Sequence, residues 1–423
     1  MRALYVSQNG MAENLGQSQV LPYLRGLARR GVDIELLSFE LPTLLPERHE
    51  ELASQMRRDG IRWHSLVRTM PGSLAVKVGE AGRGVVVAMR AALARRPDIV
   101  HGRSYFPTAI CDVVGEVSRR SKLLFDCRGM LGDEYVDCGY WTRDRLEYRL
   151  VKAYERRLFR HSDGIVVLTR ALASWLREHE VIGPKPRLTV VPCCVDMERF
   201  RPSDEARARI REELGLDDSL VLLYAGSLGT WYLEEEMARF AAAVRERAEA
   251  LGRHVVFVCL TPGDASGLRA QLERRGFPAA DVVVRKIAPA LMPDYLAVGD
   301  IGLSFIQSCF SKKGSSPTKV AEYLACGNVA VVNGDIGDQA DLAKEKDSCV
   351  VLPGFSEVAI QAAARAAVEL ATAPGREARV NAAVETARRH FGLEEVGVAR
   401  YAMLYEALVS SRKAVLSTEQ PAD

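Results

Sequence analysis

The chain has 423 residues, 48% hydrophobic and 26% charged, which is typical of a soluble globular protein too long for one ordinary core. Its net charge of +2 gives no electrostatic basis for binding nucleic acid. Nine cysteines without C-x-x-C pairing indicate free thiols in a reducing compartment. The first residues form a strand pattern rather than a signal peptide, and no apolar run reaches the roughly 18 residues of a spanning helix. We therefore expect a cytoplasmic protein of two or three domains.

Short apolar runs alternate with helical patterns from the start of the chain, which indicates parallel α/β architecture. Strands are predicted in the first half at 3–7, 34–39, 61–66, 99–101, 123–126, 164–168 and 188–191. Helices predicted between them include 18–30, 84–95 and 145–160.

A proline-bracketed stretch at 191–202 separates this series from a second one. Strands are predicted there at 221–225, 255–259, 282–284, 301–305, 328–333 and 349–352. Two βα series of similar size predict two doubly wound, Rossmann-like domains, 1–196 and 197–393, facing each other across a cleft. The tail 411–423 has little apolar content, and we expect it to be disordered.

Residues 311–333 read as a small-residue loop, a short helix and a buried strand. Pro317 suits the first helical position. Lys319 in the first turn, beside free N–H groups, predicts an anion site. Glu322 lies one turn later on the same side, where a carboxylate could accept hydrogen bonds from a diol. This pairing predicts a nucleotide-sugar site. Polar residues suited to the helix N-cap precede or begin the helix: Ser315, Ser316 and Thr318.

The segment SPTKVAEYLACGNVAVV resembles the donor-binding signature of retaining GT-B glycosyltransferases, the glycogen-synthase-like superfamily that includes family four. The segment GQSQVLPYLRGLARRG resembles the version in one bacterial branch. The resemblance implies a GT-B fold, in which a last helix at 394–410 crosses back onto the first domain. It also implies that Glu322 holds the ribose of the donor. A second glutamate usually stands eight residues earlier, where this chain has Gly314.

Further donor contacts are implied by the same resemblance. Relatives place an arginine and a lysine after the first strand of the second domain, but here Ser227 takes the arginine position and no lysine follows before Arg239. The positive charge would then come from Lys319, with Lys312 or Lys313. The loop at 16–17 carries no G-x-G-x-x-G, so a nicotinamide site is not supported. The implied donor-binding residues are Gly16, Gln17, Gly226, Ser227, Leu228, Gly229, Arg285, Lys286, Ile287, Ser315, Ser316, Pro317, Thr318, Lys319 and Glu322.

Polar residues at predicted strand ends of the first domain are implied to face the acceptor. Relatives often place a histidine where this chain has Arg128, which cannot act as a base but could bind an acidic acceptor. A structural Asp126–Arg128 pair and a core His101 are the alternatives. The implied acceptor residues are Asn9, Gln19, His101, Arg103, Asp126 and Arg128, and the implied catalytic set is Arg128, Lys319 and Glu322.

We therefore expect a retaining transferase that moves a sugar from a UDP- or GDP-sugar to a saccharide, small-molecule or lipid-linked acceptor. No cofactor is expected, and without an Asp-x-Asp motif we expect no metal. The rival hypotheses are a nucleotide-sugar epimerase or hydrolase on the same fold and a non-catalytic nucleotide-sugar-binding subunit. The basic helix at 145–160 is more typical of a solvated face than of docking on anionic lipid. The oligomeric state stays open.

Overall fold

A computed structural model describes residues 1–69, 74–118, 120–216 and 218–418, without the side chains of 74, 75 and 411–418. The chain divides into two compact units. Unit 1 comprises Met1–Pro192 and the C-terminal segment from Leu393, and unit 2 comprises Cys193–Gly392.

Unit 1 is built on a parallel sheet with the strand order β3-β2-β1-β4-β5-β6-β7. Its central strands are buried along their length, as expected where helices cover both faces of a parallel sheet. The strands are β1 (Arg2–Ser7), β2 (Asp33–Glu40), β3 (Ile61–Val67), β4 (Ile99–Arg103), β5 (Lys122–Asp126), β6 (Gly164–Val167) and β7 (Arg187–Val190). The helices are α1 (Asn14–Gln19), α2 (Leu21–Arg29), α3 (Pro46–Arg58), α4 (Leu74–Arg95), α5 (Tyr105–Ser118), α6 (Leu131–Asp137), α7 (Leu146–His161) and α8 (Arg170–Glu178).

Unit 2 has a parallel sheet with the strand order β10-β9-β8-β11-β12-β13. Its strands are β8 (Leu220–Ala225), β9 (Val255–Leu260), β10 (Val282–Arg285), β11 (Ile301–Ser304), β12 (Val329–Asn333) and β13 (Cys349–Leu352). Its helices are α9 (Asp204–Leu214), α10 (Glu234–Glu249), α11 (Ser266–Arg274), α12 (Met292–Leu296), α13 (Thr318–Ala325), α14 (Glu357–Thr372) and α15 (Arg376–Phe391).

The core of unit 2 lies on both faces of this sheet. Leu222 and Tyr224 of β8 belong to one buried cluster, whereas Val221 and Leu223 belong to another. Side chains alternate between the faces of a strand, so a strand that is apolar at every position must have both faces covered. The predicted fold class, two doubly wound parallel α/β units, is confirmed.

The chain returns to unit 1 at Leu393. A π-helical turn, Leu393–Val398, leads into α16 (Ala399–Thr418). Val398 packs so closely on Gly26 of α2 that a Cβ there would lie 2.4 Å from a valine methyl. Helix α16 begins at Ala399, later than the predicted 394. It continues through Thr418, into the segment that we expected to be disordered. Residues 419–423 of that segment lie outside the described residues. None of the described helices has the length and apolar character needed to span a membrane.

Candidate functional site

Each sheet has one place where the strand order reverses direction. In unit 1 this switch lies between β1 and β4, and in unit 2 it lies between β8 and β11. Connections from neighbouring strands leave in opposite directions at a switch point, which opens a crevice at the carboxyl ends of the strands. The predicted donor residues after β8 and β11 and the predicted acceptor residues after β1 and β4 stand at these two places.

Helix α13 is held against the unit 2 sheet by Tyr323. Its hydroxyl accepts a hydrogen bond from the Ala225 N–H at 2.7 Å and lies 3.3 Å from the Leu303 carbonyl, which it can reach as a donor. Its ring packs on Gly302 of β11, where a Cβ would lie 2.4 Å from the ring. The carboxyl end of β8 and the first turn of α13 are thereby fixed beside each other.

Lys319 is the central residue of this part of unit 2. Its side chain is buried, and its ammonium makes no hydrogen bond with any residue that the structure describes. The ammonium instead lies over two aromatic rings, 4.0 Å from the centroid of Tyr224 and 3.9 Å from that of Tyr232. Aromatic faces attract a cation without neutralising it. The side chain is thus a positive charge available to an anion.

Burial lowers the pKa of Lys319 from 10.5 to about 7, although the nearby Glu322 and Cys259 act to raise it. Burial likewise raises the pKa of Glu322 from 4.5 to about 7, against the lowering effects of Arg199 and Lys319. Two side chains that titrate near neutrality on one short helix are typical of a functional site.

The loop after β8 is shaped by glycine. Gly226 has a φ of +133°, a conformation that favours glycine, and a Cβ there would lie 3.0 Å from the Lys319 ammonium. Gly226 and Gly229 are both predicted donor-binding residues, but their N–H groups already have partners within the protein. They donate to the Leu260 carbonyl and to the Glu234 carboxylate, respectively.

The aromatic residues that follow are held by backbone pairing. Tyr232 forms an antiparallel bridge with Ile306, and the Gln307 N–H donates to the Trp231 carbonyl at 2.8 Å. The Lys312 ammonium lies 3.5 Å from the centre of the Trp231 ring. Lys312 is buried, whereas the neighbouring Lys313 is exposed.

The start of α13 differs from the prediction. Pro317 is the N-cap rather than the first helical residue, and it offers no side-chain cap. The Ser316 hydroxyl accepts a hydrogen bond from the Cys193 N–H at 3.1 Å instead of capping the helix. Thr318 is then the first helical residue, with Ser315 preceding the cap in extended conformation. The first N–H groups of α13 therefore have no side-chain cap, as an anion site requires.

The remaining predicted donor residues stand apart from Lys319. Arg285 ends β10 and is exposed, as is Lys286, while Ile287 is half-buried. Ser227 is exposed and Leu228 is half-buried on the loop after β8. Within the described part of the chain, none of these side chains forms a hydrogen bond or an ion pair with Lys319 or Glu322.

Gly16 is not part of an open loop. It lies within α1, and a Cβ there would be 2.1 Å from the Gly10 carbonyl oxygen, so glycine is needed for packing. The Gln17 side chain donates to the Met11 carbonyl at 2.5 Å. Val20 divides the predicted helix 18–30 into α1 and α2. Its φ of −126° is not helical, and its ψ is −67°.

The predicted acceptor residues of unit 1 converge at the carboxyl edge of three adjacent strands. Strand register aligns Ser7 with Arg103 and Arg103 with Asp126. Arg103 donates to the Asn9 side chain at 3.3 Å, and Arg128 donates to Asp126 at 3.4 Å. Gln19, by contrast, is a buried residue of α1.

Asp126 is the centre of this cluster. It is buried and lies 3.5 Å from His101, and it accepts a hydrogen bond from Tyr401 at 3.0 Å. Burial would raise the pKa of this carboxyl, but Arg128, His101 and Arg103 together hold it well below its usual range. Burial lowers the pKa of His101, against the effect of Asp126. His101 and Asp126 are each only 1% exposed, so they can support Arg103 and Arg128 more readily than contact a ligand.

Two residues of this cluster were missed by sequence reasoning. Tyr401 reaches Asp126, and the Tyr405 hydroxyl lies 2.7 Å from Nδ1 of His101, both from helix α16. Their spacing of four residues places them on one helix face, which was an available signal. Nothing in the sequence, however, identifies the strand ends against which that face packs.

No three His, Cys, Asp or Glu side chains come together as a metal-ligand set within the described part of the chain.

Comparison with known proteins gives a family match over part of the chain and a fold. Residues 16–194 match the family model described as "Glycosyl transferase 4-like domain". No curated protein matches the chain. A glycosyltransferase from Rickettsia africae has a TM-score of 0.68 at 12% identity, covering 96% of this chain and 98% of its own.

Two similar structures were solved with nucleotides. Anabaena HepE in complex with UDP and glucose has a TM-score of 0.67 at 13% identity, covering 97% of this chain and 100% of its own. The Escherichia coli protein described as trehalose-6-phosphate, bound with UDP-2-fluoro glucose, has a TM-score of 0.63 at 13% identity, covering 98% and 99%. These similarities confirm the predicted resemblance and the GT-B fold.

Proposed function

We propose that this chain, which has the GT-B fold and matches a glycosyl transferase 4-like domain over residues 16–194, is a glycosyltransferase that transfers a sugar from a nucleoside-diphosphate sugar. We propose that transfer proceeds with retention of anomeric configuration and that UDP or GDP carries the sugar. The observation that carries this proposal is the buried Lys319 ammonium, held by two tyrosine rings beside the uncapped start of α13. Structures with UDP in similar proteins support the choice of donor class.

In this proposal unit 2 binds the donor. Lys319 and the first N–H groups of α13 hold the diphosphate, and Glu322, one turn later, accepts hydrogen bonds from the ribose hydroxyls. Residues Arg285–Ile287 lie beside the base. As the bond between the anomeric carbon and the diphosphate breaks, negative charge grows on the leaving oxygen. A preorganised cation stabilises that charge more in the transition state than in the ground state.

Unit 1 supplies the acceptor contacts in this proposal. Arg103 and Arg128 bind or orient the acceptor, while Asp126 and His101 fix the positions of these arginines. The acceptor hydroxyl forms the new bond to the anomeric carbon on the face that the diphosphate leaves, and its proton passes to the departing phosphate oxygen. Arg128 stays protonated throughout, because a guanidinium is not deprotonated in proteins. An acidic saccharide, small molecule or lipid-linked sugar would fit such a pair of arginines.

The donor proposal is tested by nucleotide binding. UDP, GDP, ADP, dTDP and CMP are each compared by thermal denaturation of the wild type, of Glu322→Ala and of Glu377→Ala. Glu377 is an exposed glutamate of unit 2 and serves as the control. We expect one diphosphate to stabilise by about 2.7 kcal/mol at 100 times its Kd, in the wild type and in Glu377→Ala only.

Other results would point to the rival functions. Stabilisation by CMP alone, or by none of the five, would contradict a diphosphate-sugar donor. With the matching nucleotide sugar, release of nucleoside diphosphate only in the presence of an acceptor indicates a transferase. Release without acceptor indicates a hydrolase, and binding without release under any condition indicates a non-catalytic subunit.

Binding of the diphosphate is expected to take up nearly one proton at pH 8. Lys319, with a pKa of about 7, is then mostly neutral, and a bound diphosphate raises that pKa. Affinity should therefore fall as the pH rises above 7. Burial keeps Tyr224, Tyr232 and Cys259 neutral at this pH, because it raises the pKa of each.

Calorimetry at pH 8 in two buffers of different ionisation enthalpy measures this uptake. The Lys319→Met variant should show none. Glu322, whose pKa is also about 7, is ionised at pH 8, and in our proposal the hydrogen bonds that it accepts from the ribose stabilise the ionised form and oppose proton uptake there. Equal uptake in Lys319→Met and the wild type would assign the proton to another group and contradict the expectation.

A further inference from the structure

A second charged cavity lies at the amino-terminal edge of the unit 2 sheet, opposite the carboxyl edge that carries Lys319. It has a volume of about 560 Å³. Its walls come from α9, from the starts of β8 and α15, from the turn before β9 and from the end of α14. Five arginines line it: Arg207, Arg211, Arg253, Arg376 and Arg379. We call it the arginine cavity.

The described lining holds two carboxylates against these five arginines, those of Asp218 and Asp300. Asp300 already pairs with Arg207 at 2.6 Å and lies 3.7 Å from Arg211, and Arg376 pairs at 2.8 Å with Asp204, which lies outside the lining. Arg253 is exposed and makes no ion pair with any residue that the structure describes. The cavity therefore has an excess of positive charge.

Some of these arginines also donate hydrogen bonds to backbone carbonyls of unit 2. Arg207 donates to the carbonyls of Ala297, Val298 and Gly299, and Arg379 donates to the Ala373 carbonyl. These bonds satisfy backbone acceptors at helix ends, but a carbonyl carries no net charge. The repulsion between neighbouring guanidinium groups remains.

Burial and this repulsion act in the same direction on the pKa of two of the arginines. Burial lowers the pKa of Arg211, and the neighbouring Arg207 and Arg253 lower it further against the opposing effects of Asp300 and Asp218. Burial also lowers the pKa of Arg379, with Arg376 and Arg207 acting in the same direction and Asp300 opposing them.

Another cavity of unit 2 provides an internal comparison. It has a volume of about 550 Å³ and is also lined by charged side chains. Its arginines face three glutamates, and ion pairs join Arg239 to Glu357 at 3.1 Å and Arg245 to Glu249 at 2.6 Å. The described lining of the comparison cavity has four arginines and three glutamates, whereas that of the arginine cavity has five arginines and two aspartates, so the larger excess of positive charge belongs to the arginine cavity.

We propose that the arginine cavity binds a small multivalent oxyanion of the phosphate class, at a second site separate from the donor residues. Guanidinium groups present paired N–H donors that match phosphate oxygens, and several of them can share one compact anion. The volume lies within the range of about 300–1,000 Å³ common for small-molecule sites.

An anion bound in this cavity would also affect helix α13, through helix α15. Helix α15 contributes Arg376 and Arg379 to the cavity and packs through Val380 on Gly327, where a Cβ would lie 2.8 Å from a valine methyl. Gly327 directly follows the helix that carries Lys319 and Glu322. An anion that ties α9 to α15 should therefore stabilise unit 2 as a whole.

The test uses sodium pyrophosphate and sodium phosphate as probes, followed by calorimetry and thermal denaturation of the full chain. The variants are Arg253→Ser/Arg376→Ser, two exposed arginines of the cavity, and the control Arg274→Ser/Arg275→Ser in the comparison cavity. Sodium chloride at equal ionic strength corrects for screening. We expect saturable pyrophosphate binding that is at least tenfold weaker in the first variant and unchanged in the control, with phosphate binding more weakly than pyrophosphate.

Lys319→Met separates this site from the donor site, since pyrophosphate resembles the diphosphate of a nucleotide. Binding that survives in Lys319→Met and in the presence of saturating UDP supports a second site. Binding that is lost in Lys319→Met but kept in Arg253→Ser/Arg376→Ser assigns the ion to the donor site and overturns the proposal. So does an equal loss in both arginine variants, or the absence of saturable binding to the wild type.

Discussion

Replacing Lys319 by methionine is expected to lower kcat/KM by about 10²–10³-fold and to raise thermal stability at the same time. The loss of activity follows from removing a preorganised charge at the leaving diphosphate, for which losses of about that size are typical. The gain in stability follows because the buried ammonium has no hydrogen-bond partner among the described residues. Methionine has a similar length, and its sulfur packs well between aromatic rings such as those of Tyr224 and Tyr232.

The stability gain should be about 1–3 kcal/mol, the usual penalty of a buried polar group left without a hydrogen bond. Steady-state kinetics with the matching nucleotide sugar and thermal denaturation measure the two effects. Lys344→Met is the control, because Lys344 is 81% exposed in an ion pair with Asp341 of the same unit. A fall in both activity and stability for Lys319→Met would mean that Lys319 is a structural residue and would contradict our assignment.

Replacing Asp126 by alanine is expected to destabilise unit 1 by about 3–5 kcal/mol, the usual result of removing one partner from a buried charge cluster. The change takes a buried carboxylate from beside Arg128 and His101, and it removes the acceptor of the Tyr401 hydroxyl. For a unit of about 200 residues this corresponds to a fall in Tm of about 6–20 °C. Hydrogen exchange of the β4, β5 and α16 amides measures the effect where it arises.

The control is Asp59→Ala, which breaks an ion pair with Arg25 whose side chains are each 30% exposed. Such a pair contributes about 0–1 kcal/mol. Asp126→Asn should fall between the two, because the amide still accepts a hydrogen bond from Tyr401 but carries no charge. Similar exchange rates in Asp126→Ala and Asp59→Ala would contradict a central role for Asp126.

The pH dependence of stability follows from the same group. The folded-state pKa of Asp126 lies well below the unfolded value of 3.8, so its contribution is fully present above that value. The contribution is lost as the pH falls from about 4 towards the folded-state pKa. The free energy of unfolding should therefore fall less steeply with acid in Asp126→Asn than in the wild type.

The sequence by itself determined the fold class and the elements that carry the predicted donor residues. Every strand of both sheets matches a predicted one to within two residues at each end, because uninterrupted apolar runs of four to eight residues are typical of parallel strands. The ends differ slightly because hydrogen bonds to neighbouring strands decide where a ladder stops. The signature around Lys319 and Glu322 was likewise recognisable, since its residues are local in the chain.

Only the tertiary structure decided what surrounds those residues. Tyr224 and Tyr232 stand nearly a hundred residues before Lys319, and no local pattern shows that their rings take the place of a carboxylate partner. Tyr401 donates a hydrogen bond to Asp126, which lies 275 positions earlier in the chain. The Ser316 hydroxyl accepts a hydrogen bond from the Cys193 N–H instead of capping α13. Local sequence governs backbone preference and periodic burial, whereas pKa values and hydrogen-bond partners depend on which distant side chains the folded chain brings within a few ångströms.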